Sequence, residues 1–194
     1  MTEISSLCVY CGSRKGNRPD FEALAEKLGE IMAANGIELV YGAGSIGLMG
    51  VIARSVLGRG GKVTGIIPTH LEELEILEPD LTELHVVTSM HERKKLMFDR
   101  SDAFIVLPGG AGTLDEMIEV ITWSQLNLHD KPIILVNHES YWDPFVALID
   151  HVIANGFAGE ETRELFQVVE SVDDVLPTLE AGPTSRMEPE TALL

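Results

Sequence analysis

Cysteine is scarce in this chain, with two among 194 residues. Two thiols make no disulfide framework, and the cytoplasm is the expected compartment. Cations are scarce as well. Fourteen Lys and Arg stand against 31 Asp and Glu, a formal net charge of −17. That balance excludes the broad basic face that nucleic-acid binding needs, though it leaves room for a local cationic pocket. No apolar run approaches the ~20 residues needed to span a bilayer. The first residues, Met1-Thr2-Glu3-Ile4-Ser5-Ser6, lack the basic-then-apolar order of a secretory signal. Neither a membrane nor a nucleic-acid partner is therefore expected. The six histidines show no metal-ligand spacing, so no metal site is expected. There is no internal repeat or low-complexity block. The phosphate loop of NTPases is missing too, since Gly61-Lys62 is followed by Val63 where Ser or Thr is required.

What is present is an alternation of strand and helix signals in a chain of 45% hydrophobic content with 18 glycines. Strands are expected at 6–10, 37–41, 63–67, 84–87, 103–107, 132–136 and 168–169. The first helix is expected to start with Pro19 in its first position and to stop at Gly36. Further helices are expected at 48–57, 90–100, after the 103–107 strand, at 141–155 with Gly156 as stop, and at 172–179. Repeated β-loop-α units of this size predict a single α/β domain, a Rossmann-like doubly wound parallel sheet flanked by helices, over residues 1–180. Residues 181–194 read as a disordered polar tail. The acidic, irregular segment 68–84 reads as a lid.

The densest chemical signal is Leu107-Pro108-Gly109-Gly110-Ala111-Gly112-Thr113-Leu114-Asp115-Glu116. Glycines at a strand-to-helix turn let the backbone approach an anion, and a helix N-terminus supplies free N–H groups and a positive dipole end. Upstream, Ser89-Met90-His91-Glu92-Arg93-Lys94-Lys95 places cations in the first turns of a helix, where they oppose the dipole. That placement favours a functional role for Arg93 and Lys94 over a solvated basic face. Ser89 to Glu92 is a capping box, which makes Glu92 structural. Thr113-Leu114-Asp115-Glu116 has the same spacing. Glu116 therefore has two readings, a helix cap or a carboxylate placed one turn in from a phosphate cradle.

Other patterns carry less. Gly42-Ala43-Gly44-Ser45-Ile46-Gly47 matches G-x-G-x-x-G, but the acidic residue expected about 20 positions later is replaced by Ile66-Ile67-Pro68. Close backbone packing, or part of a mononucleotide site, is the better reading. Cys8-Val9-Tyr10-Cys11 is C-x-x-C that begins inside a strand, where alternation points the thiols to opposite faces. Trp123, Trp142 and Tyr141 read as packing or interface residues. The loops after the first, second and fifth strands all carry glycine and are expected to converge at the carboxyl edge of the sheet.

With those residues in view, the chain resembles the Lonely Guy family of cytokinin-activating phosphoribohydrolases. The family's P-G-G-x-G-T-x-x-E pattern is met from Pro108 to Glu116, and its Met-His-x-Arg-Lys element matches Met90 to Lys94. Leu48-Met49-Gly50 also fits, while Ala43 stands where the family commonly has glycine. The likeness runs from about Leu7 to Leu179. It implies hydrolysis of the N-glycosidic bond of a cytokinin riboside 5′-monophosphate, and of AMP, to free base and ribose 5-phosphate, with no metal or cofactor. It further implies that Gly109, Gly110, Ala111, Gly112 and Thr113 hold the 5′-phosphate and that Arg93 and Glu116 are the catalytic pair. Glu75, Lys94 and Thr122 match other nucleotide contacts. Such proteins form homodimers, some of them hexamers, in which a helix of one chain completes its neighbour's site. Arg93 is expected to hold Glu116 ionised, because an adjacent cation lowers a carboxyl pKa. Members have often been labelled lysine decarboxylases, but no Schiff-base lysine with a pyridinium partner is readable here. The competing reading from another class is a nucleotide or molybdenum-cofactor binding protein, which needs the phosphate loop but not the Arg–Glu pair. A second enzymatic reading, a broader nucleoside monophosphate nucleosidase, differs only in base specificity.

Overall fold

Strands that are apolar at every position need cover on both faces, and a parallel sheet between two helical layers supplies it. The computed structural model describes residues 4–72 and 77–182. It contains seven strands: β1 (Ser6–Tyr10), β2 (Glu38–Tyr41), β3 (Val63–Pro68), β4 (Glu83–Val87), β5 (Ala103–Val106), β6 (Ile133–Val136) and β7 (Gln167–Val169). All pair in parallel, in the order β4-β3-β2-β1-β5-β6-β7. β1, β5 and β6 are buried throughout, as their uninterrupted apolar runs require.

Alternation along each strand divides the core. Leu7, Val9, Leu39 and Tyr41 pack with residues of α1 (Asp20–Ala34), α2 (Gly47–Leu57) and α7 (Val175–Ala181) on one face. Cys8, Tyr10, Phe104 and Val106 pack on the other against Met97 of α4 (Met90–Asp99), Met117 and Val120 of α5 (Ala111–Gln125) and Phe145 of α6 (Asp143–Ala154). Cys8 and Cys11 fall in opposite clusters and are both free and buried, so C-x-x-C is here a strand pattern. The remaining helix, α3 (Thr69–Glu72), follows β3 directly.

Helix starts depart from the sequence reading. Pro19 precedes α1 as its cap residue instead of occupying the first turn. The helix expected from Tyr141 begins at Asp143, after a 3-10 turn at His138–Ser140. The largest difference is α5, which starts at Ala111 with Gly110 as cap. Thr113 lies inside the helix, so the expected Thr113–Glu116 capping box does not form. Ala181, expected in the tail, closes α7, and residues 183–194 lie outside the described residues. Within the expected lid, Leu77 bridges to Gly44, while residues 73–76, Glu75 among them, lie outside the described residues.

The chain order reverses between β1 and β5, the topological switch point where such sheets bind ligands beyond the strand carboxyl ends. Three glycine loops meet there. The Gly12 N–H donates to the Pro108 carbonyl at 3.1 Å, and the Leu48 N–H to the Gly12 carbonyl at 3.0 Å. Gly47, at φ +70°, lies against the backbone of Ser13 and Arg14. Within the second glycine motif, Gly47 thus allows a close backbone approach between the two loops. No helix among the described residues is long and apolar enough to cross a membrane.

Candidate active site

The glycine turn between β5 and α5 holds one contact that only glycine permits. A Cβ on Gly109 would lie 2.1 Å from the Thr113 hydroxyl oxygen, so this residue must be glycine for Thr113 to seat, and Thr113 is 3% exposed. Gly110 and Gly112 differ. A Cβ on either would meet nothing within 4 Å, and neither has a positive φ. The protein's own packing does not require glycine at these two positions. Both are exposed, at the start of a helix with no side-chain cap and no acidic residue in its first turn. The first N–H groups of α5 therefore lack intrahelical acceptors and face open space, the arrangement that takes an anion.

A stability measurement separates this from a merely tight turn. Gly112→Ala is expected to stabilise the fold by about 0.5 kcal/mol, because glycine is a poor helix residue. The added methyl would occupy the open space, so affinity for inorganic phosphate should fall by about tenfold or more, the effect of one lost hydrogen bond to a charged group. Unchanged phosphate affinity in a more stable variant would remove the cradle.

Arg93 reaches the crevice from α4. That helix is capped as the sequence predicts. The Glu92 N–H donates to Ser89 Oγ, and the Glu92 carboxylate accepts from the Thr88 N–H at 2.7 Å. Glu92 is thus structural. Arg93 is 7% exposed, not part of a solvated face. Its Nη2 approaches the Gly42 carbonyl at 3.4 Å and would lie 1.9 Å from a Gly42 Cβ. Gly42 accordingly makes room for the guanidinium. Arg93 Nε is buried without a hydrogen-bond partner among the described residues, an unmet donor at the crevice.

Glu116 lies one turn into α5 and is half-buried. Loss of surrounding water raises its pKa to about 7, outweighing the lowering effect of Arg93; Asp115 and Glu119 add to the rise, and Lys94 opposes it. This corrects the expectation that Arg93 keeps Glu116 firmly ionised. No ion pair joins the two among the described residues, and they act on each other through space. Desolvation wins, and the carboxyl is poised near neutrality instead.

Lys94, with a side chain 11% exposed, bonds Asp115 at 3.2 Å and Glu119 at 2.9 Å. Burial draws its pKa down, but hydrogen bonds and charge from those two carboxylates prevail and hold it above the ordinary lysine value. Lys94 therefore ties α4 to α5 beside the Arg93–Glu116 pair. Thr122 sits on the outer face of α5, its hydroxyl donating to the Ile118 carbonyl at 2.8 Å, away from the cradle of its own chain. The apolar surface expected along 117–128 is partly core. Met117 is fully buried and Trp123 stacks edge-on against Phe98 at 5.1 Å, whereas Leu114, Ile118 and Leu126 are exposed. Among the described residues no group of His, Cys, Asp and Glu is arranged to hold a metal ion.

One contact escaped the sequence reading. Tyr141 donates its hydroxyl to the Gly109 carbonyl at 2.7 Å. The neighbouring Trp142 is 2% exposed and packs as expected.

Comparisons with known proteins bear on the family and the fold. A family model described as "Possible lysine decarboxylase" matches residues 49–179. The chain is 46% identical over 182 residues to an Oryza sativa subsp. japonica protein named "Probable cytokinin riboside 5'-monophosphate phosphoribohydrolase", covering 94% of this chain and 82% of that one. It is 42% identical over 179 residues to an Arabidopsis thaliana cytokinin riboside 5′-monophosphate phosphoribohydrolase, covering 92% and 84%. Among solved structures, the molybdenum cofactor binding protein of Rippkaea orientalis matches with a TM-score of 0.69 over 93% of this chain and 98% of that one. At 19% identity, that is a likeness of fold.

Proposed function

The chain belongs to the LOG family of cytokinin riboside 5′-monophosphate phosphoribohydrolases, and we propose that Arg93 and Glu116 carry out that hydrolysis on N6-substituted AMP and on AMP. The C1′–N bond of the nucleotide breaks and its electron pair leaves with the base. Water adds its oxygen to C1′ and keeps one proton there as the new hydroxyl, while its other proton is balanced by the one the departing base takes up, so that the products are free base and ribose 5-phosphate. The transition state carries positive charge on the ribose. A carboxylate at Glu116 stabilises that charge and orients the water. Arg93 anchors the nucleotide through its unmet donor. Gly109 to Thr113 hold the 5′-phosphate, and Lys94 on α4 braces the pair by holding Asp115 and Glu119 of α5. No step requires a metal or a cofactor.

The observation that carries this reading is a carboxyl poised near neutral pH beside a buried arginine and an uncapped helix N-terminus. A carrier of a nucleotide or of the molybdenum cofactor needs the cradle alone. A decarboxylase working through a Schiff base needs a neutral amine, and Lys94 is held as an ammonium between two carboxylates. Purified protein incubated with AMP and with isopentenyladenosine monophosphate is expected to release free base and ribose 5-phosphate from both. Binding of either nucleotide without release of base would leave a carrier. Release of pyrimidine bases at equal rates would favour the broader nucleosidase.

The working unit is a cytoplasmic homodimer. Two free, buried thiols suit a reducing compartment. The exposed Leu114 and Ile118 on α5 line, with Thr122, a shallow groove of about 650 Å³, and Leu126 is exposed just past the end of the helix. Its helical spacing suits a second copy of α5 and would bring Thr122 to the neighbouring cradle. Ile118→Asp puts a charge into that face and is expected to give a monomer by light scattering, with most activity lost. A fully active monomer would contradict both the interface and the shared site.

A further inference from the structure

Two consecutive non-glycine residues, Glu139 at φ +51° and Ser140 at φ +62°, adopt the left-handed region in the turn after β6. Such a conformation is unfavourable for residues with a Cβ and persists only where the surroundings over-determine it. Here the surroundings do. Asn137, 5% exposed, accepts from the Trp142 N–H at 2.7 Å and donates from Nδ2 to Asp143 at 2.8 Å. Its own N–H donates to the Val169 carbonyl at 2.7 Å. The strained turn is thus pinned to β7 on one side and to the start of α6 on the other.

The product of that turn is the placement of Tyr141. Its ring meets Phe21 edge-on at 5.7 Å and Trp142 at 4.9 Å. Phe21 in turn lies over Gly16, whose Cβ would be 2.6 Å from the Phe21 ring. The hydroxyl then reaches the Gly109 carbonyl at 2.7 Å. Gly109 and Gly110 share one peptide plane, and in a trans peptide the C=O and N–H point in opposite directions. Holding the Gly109 carbonyl therefore also orients the Gly110 N–H, the first donor of the cradle. Gly110 has no side chain to fix it and nothing within 4 Å of where a Cβ would be.

From this geometry we infer that Tyr141 is a positioning residue for phosphate recognition, its hydroxyl fixing the peptide that opens the cradle. The inference rests on the phosphate-binding part of the proposed function. Tyr141 touches no reacting atom, so its effect belongs in affinity for the phosphorylated substrate and not in the bond-breaking step. A ring that served packing alone would have no use for the hydroxyl.

Tyr141→Phe keeps every ring contact and removes one hydrogen bond. The KM for AMP is expected to rise roughly 5-fold, the usual effect of one hydrogen bond, with kcat unchanged. The inhibition constant of inorganic phosphate should rise by the same factor, while kcat/KM for adenosine, which has no phosphate, stays the same. Thermal unfolding measured alongside confirms an intact fold. Equal losses on AMP and adenosine, or an unchanged KM and phosphate constant, would overturn the inference. Calorimetric titration with inorganic phosphate reads the same contact without turnover. A weakened phosphate site in a protein that releases no base would therefore sink the hydrolase reading and leave Tyr141 in its role.

Discussion

Glu116→Gln is expected to lower kcat by ~10²-fold or more while nucleotide binding is largely kept, because the side chain keeps its size and loses only its ability to carry charge and accept a proton. The capping role that would make this substitution neutral does not exist in the fold, since α5 begins at Ala111 and Glu116 lies beyond its first turn. Arg93→Ala should also lose activity, but with a raised KM, because the guanidinium anchors the nucleotide. If the two act as a unit, the double variant will be little worse than the more damaged single one. A fully active Glu116→Gln enzyme would leave a nucleotide-binding protein as the better description.

The same residue sets a pH dependence. With its pKa near 7, Glu116 is a working carboxylate only above neutrality, so kcat/KM for AMP should rise with pH through about 7 and then level. The substrate phosphate ionises near ~6, and the Glu116→Gln variant should retain that inflection alone. A fall in rate above 7 would instead make Glu116 the acid that protonates the leaving base. Stability follows the opposite course. A carboxyl whose pKa is raised from 4.5 in the unfolded chain to about 7 in the fold binds its proton more tightly when folded. Below 4.5 both states are protonated and nothing is lost. Between 4.5 and 7 the native state holds the extra proton, so stability falls as pH rises, and the full penalty remains above 7. Relative to the wild type, Glu116→Gln should therefore gain melting temperature at pH 8 and show no gain at pH 4. Parallel curves at the two pH values would show that Glu116 is not desolvated.

The strands are legible in the sequence because short apolar runs bounded by glycine have few other ways to be buried, and the convergence of their glycine loops follows from parallel topology. Helix starts are less legible. Thr113-x-x-Glu116 has the spacing of a capping box, but Thr113 is buried against Gly109, and the helix takes in Ala111, Gly112 and Thr113 as well. The pKa of Glu116 was not readable from its neighbour Arg93, because the balance between burial and charge is set by how the crevice closes around the carboxyl. Tyr141 was hidden for a different reason. Its contact spans 32 residues and depends on a left-handed turn at Glu139 and Ser140, where no glycine announces it. The Arg93–Glu116 pair was legible as spacing, and the room that Gly42 leaves for the guanidinium was not.

AMP is expected to exceed adenosine in kcat/KM by on the order of 10³-fold, as two hydrogen bonds to a charged phosphate would supply. The phosphate lies away from the bond that breaks, so its binding energy can be used to hold the ribose against Glu116 and to offset the loss of water around that carboxyl. Removing it should therefore lower kcat as well as raise KM. Added inorganic phosphate should partly restore adenosine turnover at low concentration, by filling the cradle, if the N–H groups of α5 are the receiving site. The chain's charge of −17 makes the comparison informative. A dianion is repelled by the molecule as a whole, and only a built local site can reverse that preference. Equal kcat/KM values for AMP and adenosine would mean that the open space at Gly110 and Gly112 is not a phosphate site, and the cradle would have to be abandoned along with the order of events built upon it.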